Sequence, residues 1–523
     1  MRKEPGTTRS SPESSVLSPQ AFLLSPQSYL TLTASASVLI AAGLCAAGRY
    51  REAAGAALLV LALGFVAFAG ISVSSILVVW FVASPVASFF IRFPYDKSVI
   101  TFNRLVFALI AGLLLIRTLT GRGDSTAKGV RSLRESVFAH CKATRFEVAW
   151  AALSVAALAS ALLKSHDVGY AGKIAFDSFC LPLFAFWLAR HGFSARSHLR
   201  WLTLSAIVLA LFLFATGAYE LATGADLFPY KGSELVRAGE RRVNGPFAAD
   251  SSYSIICLML FLFLRAAPEA LSIRFDKTSR TLYELVLGAA LIASLLPMFR
   301  TVAIALVACW AILELGGGNK RGLKAEKPIA GRWLIAALIA LVALGAAVAP
   351  ALFARRLADP SNAFSRVATW QAAAEIAFEY PLSGIGLANY EDYFRAKYSW
   401  EDESVEEVMN TSALPSPHSN LLWIAAELGW VAFAVYLIAN VCLALMGWRG
   451  LKRAHTTTQR TAAVCFLSLV VAYWITGLTL TSGLYSDLNL YFFLLLGLLS
   501  NRFDRGAKET LDLSAPIQTT ASS

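Results

Sequence analysis

The sequence predicts an all-α polytopic integral membrane protein with about 12–14 transmembrane helices. Three observations predict this class. Apolar residues make up 57% of the 523 residues and charged residues 15%, against roughly 45–50% and 25% in soluble globular chains. The apolar residues run in stretches long enough for a spanning helix and longer than a barrel strand needs. Lys and Arg collect in short segments between these stretches, which is the positive-inside bias. With a mean hydropathy of +0.58, an ordinary soluble enzyme, a disordered chain and a disulfide-rich scaffold are excluded.

The elements follow in order. Residues 1–28 are polar and rich in Ser and Pro, and read as a cytoplasmic tail. The first apolar stretch, 29–48, follows too long a polar lead for a signal peptide. Further stretches lie near 53–70, 72–91, 101–119, 146–163, 172–190, 199–221, 250–266, 281–299, 301–315, 332–353, 419–446, 461–480 and 484–500. The membrane domain therefore spans 29–500, and 501–523 form a second polar cytoplasmic tail. The basic segments 121–145, 190–200, 265–280, 319–332 and 448–460 all fall on one side, with both termini. Arg49 and Arg51 then fall on the opposite side, which makes the first hairpin the weakest part of the topology.

Two long segments, about 222–249 and 354–418, lie on the opposite side. Loops of that length inside a compact protein carry function or are disordered. The second is predicted to be partly helical, because SRVATWQAAAEIAFEY (365–380) has a helical apolar period and Pro381 and Gly384 follow it. The run EDESVEE (401–407) reads as a solvated acidic face without the spacing of a calcium loop. No internal repeat with paired broken helices is visible, which disfavours a transporter.

The net charge of +12 follows from the loop bias and forms no basic face, so nucleic acid is not an expected partner. Of the seven cysteines, Cys45, Cys180, Cys257, Cys309, Cys442 and Cys465 sit in apolar stretches and Cys141 in a basic loop, with no CxxC. They read as small buried residues, so neither disulfide nor zinc site is expected. No Walker, HExxH or DxD motif is present, and no cofactor or metal is expected.

Topology selects the candidate residues. Of six histidines, only His166 and His418 face the side of the long loops. His418 follows Pro415 and Pro417 and opens a membrane helix, where a helix N-terminus favours anions and disfavours imidazolium. Arg300 lies in LLPMFRTVAIAL with apolar runs on both sides, as a cavity-facing arginine or a snorkelling one would. Arg237, Arg241 and Arg242 place positive charge on the side where the bias disfavours it, and arginine forks match phosphate oxygens. Glu427, nine residues after His418, falls on roughly the opposite helix face about 13 Å away and is expected to pair with another element. Asp250 is either a helix N-cap or a substrate contact.

Three blocks carry a resemblance. RVNGPFAADSSYS (242–254), MFRTVAIALVACW (298–310) and RVATWQAAAEIAFEYPLSGIGLANYEDYF (366–394) followed by PHSNLLWIAAELGWVAFAVY (417–436) resemble the O-antigen ligase and O-antigen polymerase family, across about 199–500. Phe299 stands where the family often has Ser, Ala248–Asp250 replaces an Asn-Pro-Asn-like run, and Ser419 separates His418 from Asn420. The resemblance implies transfer of a glycan from undecaprenyl diphosphate to an acceptor sugar. The acceptor would be lipid A-core or a second lipid-linked glycan, and the site would face the periplasm from the bacterial inner membrane. It implies that Arg242 and Arg300 hold the donor diphosphate and that His418 assists the acceptor hydroxyl. Arg241, Arg366 and Asn420 are expected to contact substrate, in a metal-independent, inverting displacement. Ligase and polymerase remain alternatives. A lipid-linked oligosaccharide flippase, or another polysaccharide transporter, is the competing class, followed by a non-catalytic envelope assembly protein.

Overall fold

A computed structural model describes residues 72–93, 100–120, 143–193, 196–229, 243–271, 277–317, 361–397 and 416–513. The stretches expected at 29–48, 53–70 and 332–353 lie outside the described residues, as do Arg237, Arg241, Arg242 and the acidic run 401–407. In chain order the described helices are α1 (Val73–Phe90), α2 (Phe102–Thr120), α3 (Arg145–Leu163), α4 (Val168–Ala175), α5 (Leu181–Gly192), α6 (Arg196–Thr223) and α7 (Asp250–Ala270). They continue with α8 (Lys277–Leu295), α9 (Arg300–Gly317), α10 (Ser361–Glu379), α11 (Tyr390–Lys397), α12 (Asn420–Lys452), α13 (Thr457–Thr479) and α14 (Ser486–Leu513). A π-helical turn, Phe176–Cys180, joins α4 to α5. Seven spans among the described residues are long and apolar enough to cross a membrane, counting Val168–Gly192 as one. The protein is an all-α polytopic membrane protein. A two-residue antiparallel pair, β1 (Arg92–Phe93) and β2 (Ile100–Thr101), links α1 to α2.

The expected boundaries fall within a few residues of these helices, and the caps explain several of them. Thr144 and Glu147 form a reciprocal capping box at the start of α3, and Thr456 and Gln459 do the same for α13. Glu147 also pairs with Arg190 of α5 at 3.0 Å. Pro182 has no N–H to give the carbonyl four residues back, and the helix before it widens, with Leu181 N–H bonding Phe176 O. α14 runs past the expected end at 500 to Leu513. Asp250 is the first helical residue of α7 rather than its cap, and its carboxylate accepts the Ser251 N–H at 2.8 Å.

Lipid tails are as apolar as Leu, so packing and hydrogen bonds hold such helices together. α13 is central and packs against α7, α9, α12 and α14. Tyr473 stacks on Phe492 at 4.1 Å and Trp150 packs on Phe493 at 4.6 Å. Hydrogen bonds between buried polar groups tie the helices together in this low-dielectric interior: Trp80 Nε1 donates to Asn103 at 2.8 Å and Trp150 Nε1 to the Phe179 carbonyl at 3.0 Å.

The helix ends that the charge bias assigns to one side bond among themselves. Ser74 reaches Gly192 O, Asn501 reaches Phe193 O, and Arg460 reaches Gly316 O. At the other end, Ser165 reaches Leu387 O, Thr301 meets Thr479, and Asn420 meets Ser482. That second end carries His418.

Candidate active site

The site is built at the ends of α9, α10, α12 and α13. α9 begins with Arg300, whose side is exposed, and Thr301 beside it bonds Thr479 at the end of α13 (Oγ1–Oγ1 2.8 Å). Arg366, in the second turn of α10, places its guanidinium carbon 5.9 Å from the Phe299 ring centroid. It also stands within electrostatic reach of His418. One cation therefore lies beside both the Phe299–Arg300 corner and the imidazole.

His418 sits in the turn before α12. Pro417 is buried before it, and Ser419 occupies the cap position without a side-chain cap bond. Burial lowers the His418 pKa from its ordinary 6.5 to about 4, with the positive charge of Arg366 acting in the same direction. The imidazole is therefore neutral at physiological pH. Backbone strain marks the same place. Three non-glycine residues among the described ones have left-handed φ: Met298 at 56°, Ala388 at 67° and His418 at 45°. Met298 and His418 flank the two halves of the site, and strain of this kind collects where side-chain aim matters.

Asn420 is buried, 3% exposed, behind His418. Its Nδ2 donates to Ser482 Oγ at 2.7 Å and its Oδ1 accepts Gly483 N–H at 2.8 Å. Asn489 then holds the Gly483 carbonyl at 2.8 Å, and Tyr473 donates to Asn489 at 2.8 Å. Asn420 thus fixes the short 3₁₀ turn Ser482–Leu484 against the start of α12.

Glu427 answers the expectation that it pairs with another element. α12 is broken at Gly429, where φ is 81°. Into that break docks the chain between α10 and α11. Ile385 N–H bonds Ala426 O at 3.1 Å, Gly386 N–H bonds Glu427 O at 3.0 Å, and Trp430 N–H bonds Pro381 O at 2.7 Å. The Glu427 carboxylate accepts the amides of Ala388 at 2.9 Å and Tyr390 at 3.1 Å, and the Trp423 indole at 2.7 Å. It caps α11 from inside the kinked helix, where a carboxylate suits a helix N-terminus. The same loop grips the α3–α4 turn through Ser165 Oγ to Leu387 O at 2.6 Å and Asn389 Nδ2 to Lys164 O at 3.1 Å. α10, and with it Arg366, is therefore held on two membrane helices.

Arg241 and Arg242 lie outside the described residues, but the chain that follows them is fixed. Glu220, near the end of α6, accepts the amides of Asn244 at 2.9 Å and Gly245 at 2.8 Å, and Tyr253 donates to Leu213 O at 2.6 Å. The sequence reading missed Glu220, and also the bidentate pair Arg104–Asp177 (2.8 and 2.6 Å) and Asp487, which accepts from Asn103 at 2.6 Å. Each is an ionisable residue at or inside the border of an apolar run, and that position was the available signal.

Fold and site together define a polytopic membrane protein that gathers arginines and a neutral histidine at one end of its helices. Residues 285–437 match the family model described as O-Antigen ligase. The matched segment contains Arg300, Arg366, His418 and Asn420, and leaves the 242–254 block outside it. No curated protein matches the chain significantly.

Proposed function

We propose that this protein is a membrane glycosyltransferase that moves a glycan from undecaprenyl diphosphate to an acceptor sugar, at the periplasmic face of a bacterial inner membrane. The observation that supports it most is the meeting of Arg366, the Phe299–Arg300 corner and neutral His418 at one end of the helices. The family match agrees with glycosyl transfer of the O-antigen ligase type.

In this reading Arg300, Arg366 and Arg242 hold the donor diphosphate, with Arg241 beside them, and Asn420 fixes the turn behind His418. The acceptor hydroxyl oxygen attacks the anomeric carbon, and the bond from that carbon to the diphosphate oxygen breaks. The hydroxyl proton goes to His418, and the arginines offset the charge that develops on the departing diphosphate. A single displacement inverts the anomeric centre, and a covalent glycosyl-enzyme would contradict it. An imidazole with a pKa of about 4 is a weak base in the empty site. An anionic donor offsets the field of Arg366 and raises that pKa, so donor binding makes the base stronger when it is needed.

The test compares a deletion strain rescued by wild type with one rescued by His418→Ala, on gels of surface polysaccharide and lipid-linked glycan. Collapse of long chains to single units on the normal acceptor identifies a polymerase. Full-length chains accumulating on undecaprenyl diphosphate, with a bare acceptor, identify a ligase. Complete rescue by His418→Ala rejects the site.

A further inference from the structure

The foot of α10 carries an apolar patch that the chemistry at His418 does not use. Phe378 is 73% exposed and Leu382 77% exposed, although both are large and apolar. Trp430 and Val431 are exposed beside them, with Phe378 and Trp430 in ring contact at 5.7 Å and Trp430 Nε1 bonded to Ala377 O at 2.9 Å. On the other flank, Leu162 and Leu163 end α3 exposed, the latter 82%. Hydrogen bonds fix the relative heights: Trp430 N–H bonds Pro381 O, next to Leu382, and Lys164, next to Leu163, bonds Ser383. The apolar side chains of three elements therefore stand at one level.

That level continues a membrane surface. Below the kink, Val431, Ile438, Val441, Leu445 and Trp448 are exposed along one face of α12, an apolar helical stripe that no described element covers and that suits lipid in a spanning helix. Trp430 and Trp448 bracket the stripe, and Lys452 lies 5.2 Å from the Trp448 ring. Eighteen residues of helix separate the two indoles, about 27 Å, close to the hydrocarbon thickness of a bilayer. Paired aromatic rungs with flanking cations mark the two interfaces. By contrast, charges on α10 and α11 pair among themselves, Lys397 with Glu375 and Glu379 and Arg395 with Glu391.

We infer that the Phe378 and Leu382 side chains at the α10 foot are seated in lipid acyl chains at the membrane interface, where they anchor the helix that carries Arg366. α12 then leaves the hydrocarbon at Gly429, and its first segment, Asn420–Leu428, stands at headgroup level. His418 works at that level.

Photo-crosslinking tests this. Benzoylphenylalanine is incorporated at positions 378 and 382 of the full chain, in nanodiscs of phosphatidylethanolamine and phosphatidylglycerol, and adducts are read by mass spectrometry. Position 441 on the α12 stripe and exposed position 396 on α11 serve as lipid and solvent references. Lipid adducts at 378 and 382 are expected within about twofold of position 441 and about tenfold above position 396. Covalent protein dimers through 378 or 382 would assign the patch to a second copy and overturn the inference. Lipid yields no higher than at position 396 would overturn it as well.

Discussion

At the scale of single residues, the candidate site turns on an imidazole that burial keeps neutral, with the Arg366 charge acting in the same direction. His418 is lowered to about 4 by burial, helped by Arg366. The sign follows directly. As pH falls, the site loses its base only when the ring protonates, near 4 in the free enzyme rather than near 6.5. The acid limb of kcat/KM is therefore expected near pH 4. The limb of kcat, set with the anionic donor bound, is expected at higher pH. Arg366→Ala removes a repulsive charge, so its kcat/KM limb moves upward while the overall rate falls. A kcat/KM limb at 6.5 in the wild type, unmoved by Arg366→Ala, would reject this electrostatic coupling. The sequence alone pointed to Arg300 because it interrupts an apolar context, and to His418 because it opens a membrane helix on the side of the long loops. The resemblance put Arg366 among the expected substrate contacts, but its place near Phe299 and His418 depends on how α10 docks.

At the scale of elements, the docking of the α10–α11 loop into the break of α12 is the decisive feature. Both partners lack side chains where they meet. A Cβ at Gly429 would lie 2.6 Å from the Leu382 backbone, and one at Gly384 would run into the Glu427 carbonyl. Gly429→Ala is expected to undock the loop and to cost about 2 kcal/mol or more, from a left-handed φ and a backbone clash. Glu427→Ala leaves two amides and an indole N–H without an acceptor, at about 3 kcal/mol. Hydrogen exchange over 383–390 is the readout, and both variants should lose protection there while the α13 core keeps its own. Unchanged protection in both would mean that the loop is held elsewhere. The sequence showed the α10 helix and its stop at Pro381, but read 419–446 as one span. Only Glu427 interrupts the apolar run around Gly429, and a lone carboxylate there does not mark the glycine as the place where the chain bends.

At the scale of the whole molecule, the class was legible from hydropathy and from the basic loops, because the bilayer restricts spanning segments to a few solutions. The charged contacts between helices were not legible, since a pair such as Arg104–Asp177 joins residues far apart in the chain. Both side chains are mostly buried, 14% and 13% exposed. Asp177→Asn removes the negative charge that faces the Arg104 guanidinium and is expected to cost about 3 kcal/mol, seen as a lower unfolding temperature in detergent. An unchanged transition would show that this pair adds no stability.

The most direct test of the central claim is glycan transfer by purified protein in proteoliposomes, given undecaprenyl-diphosphate-linked glycan and an acceptor saccharide. The wild type is expected to form the glycosidic product and release undecaprenyl diphosphate. His418→Ala should keep donor binding and lose transfer by about 100-fold or more. Transfer at the wild-type rate by His418→Ala would contradict the assignment of the site.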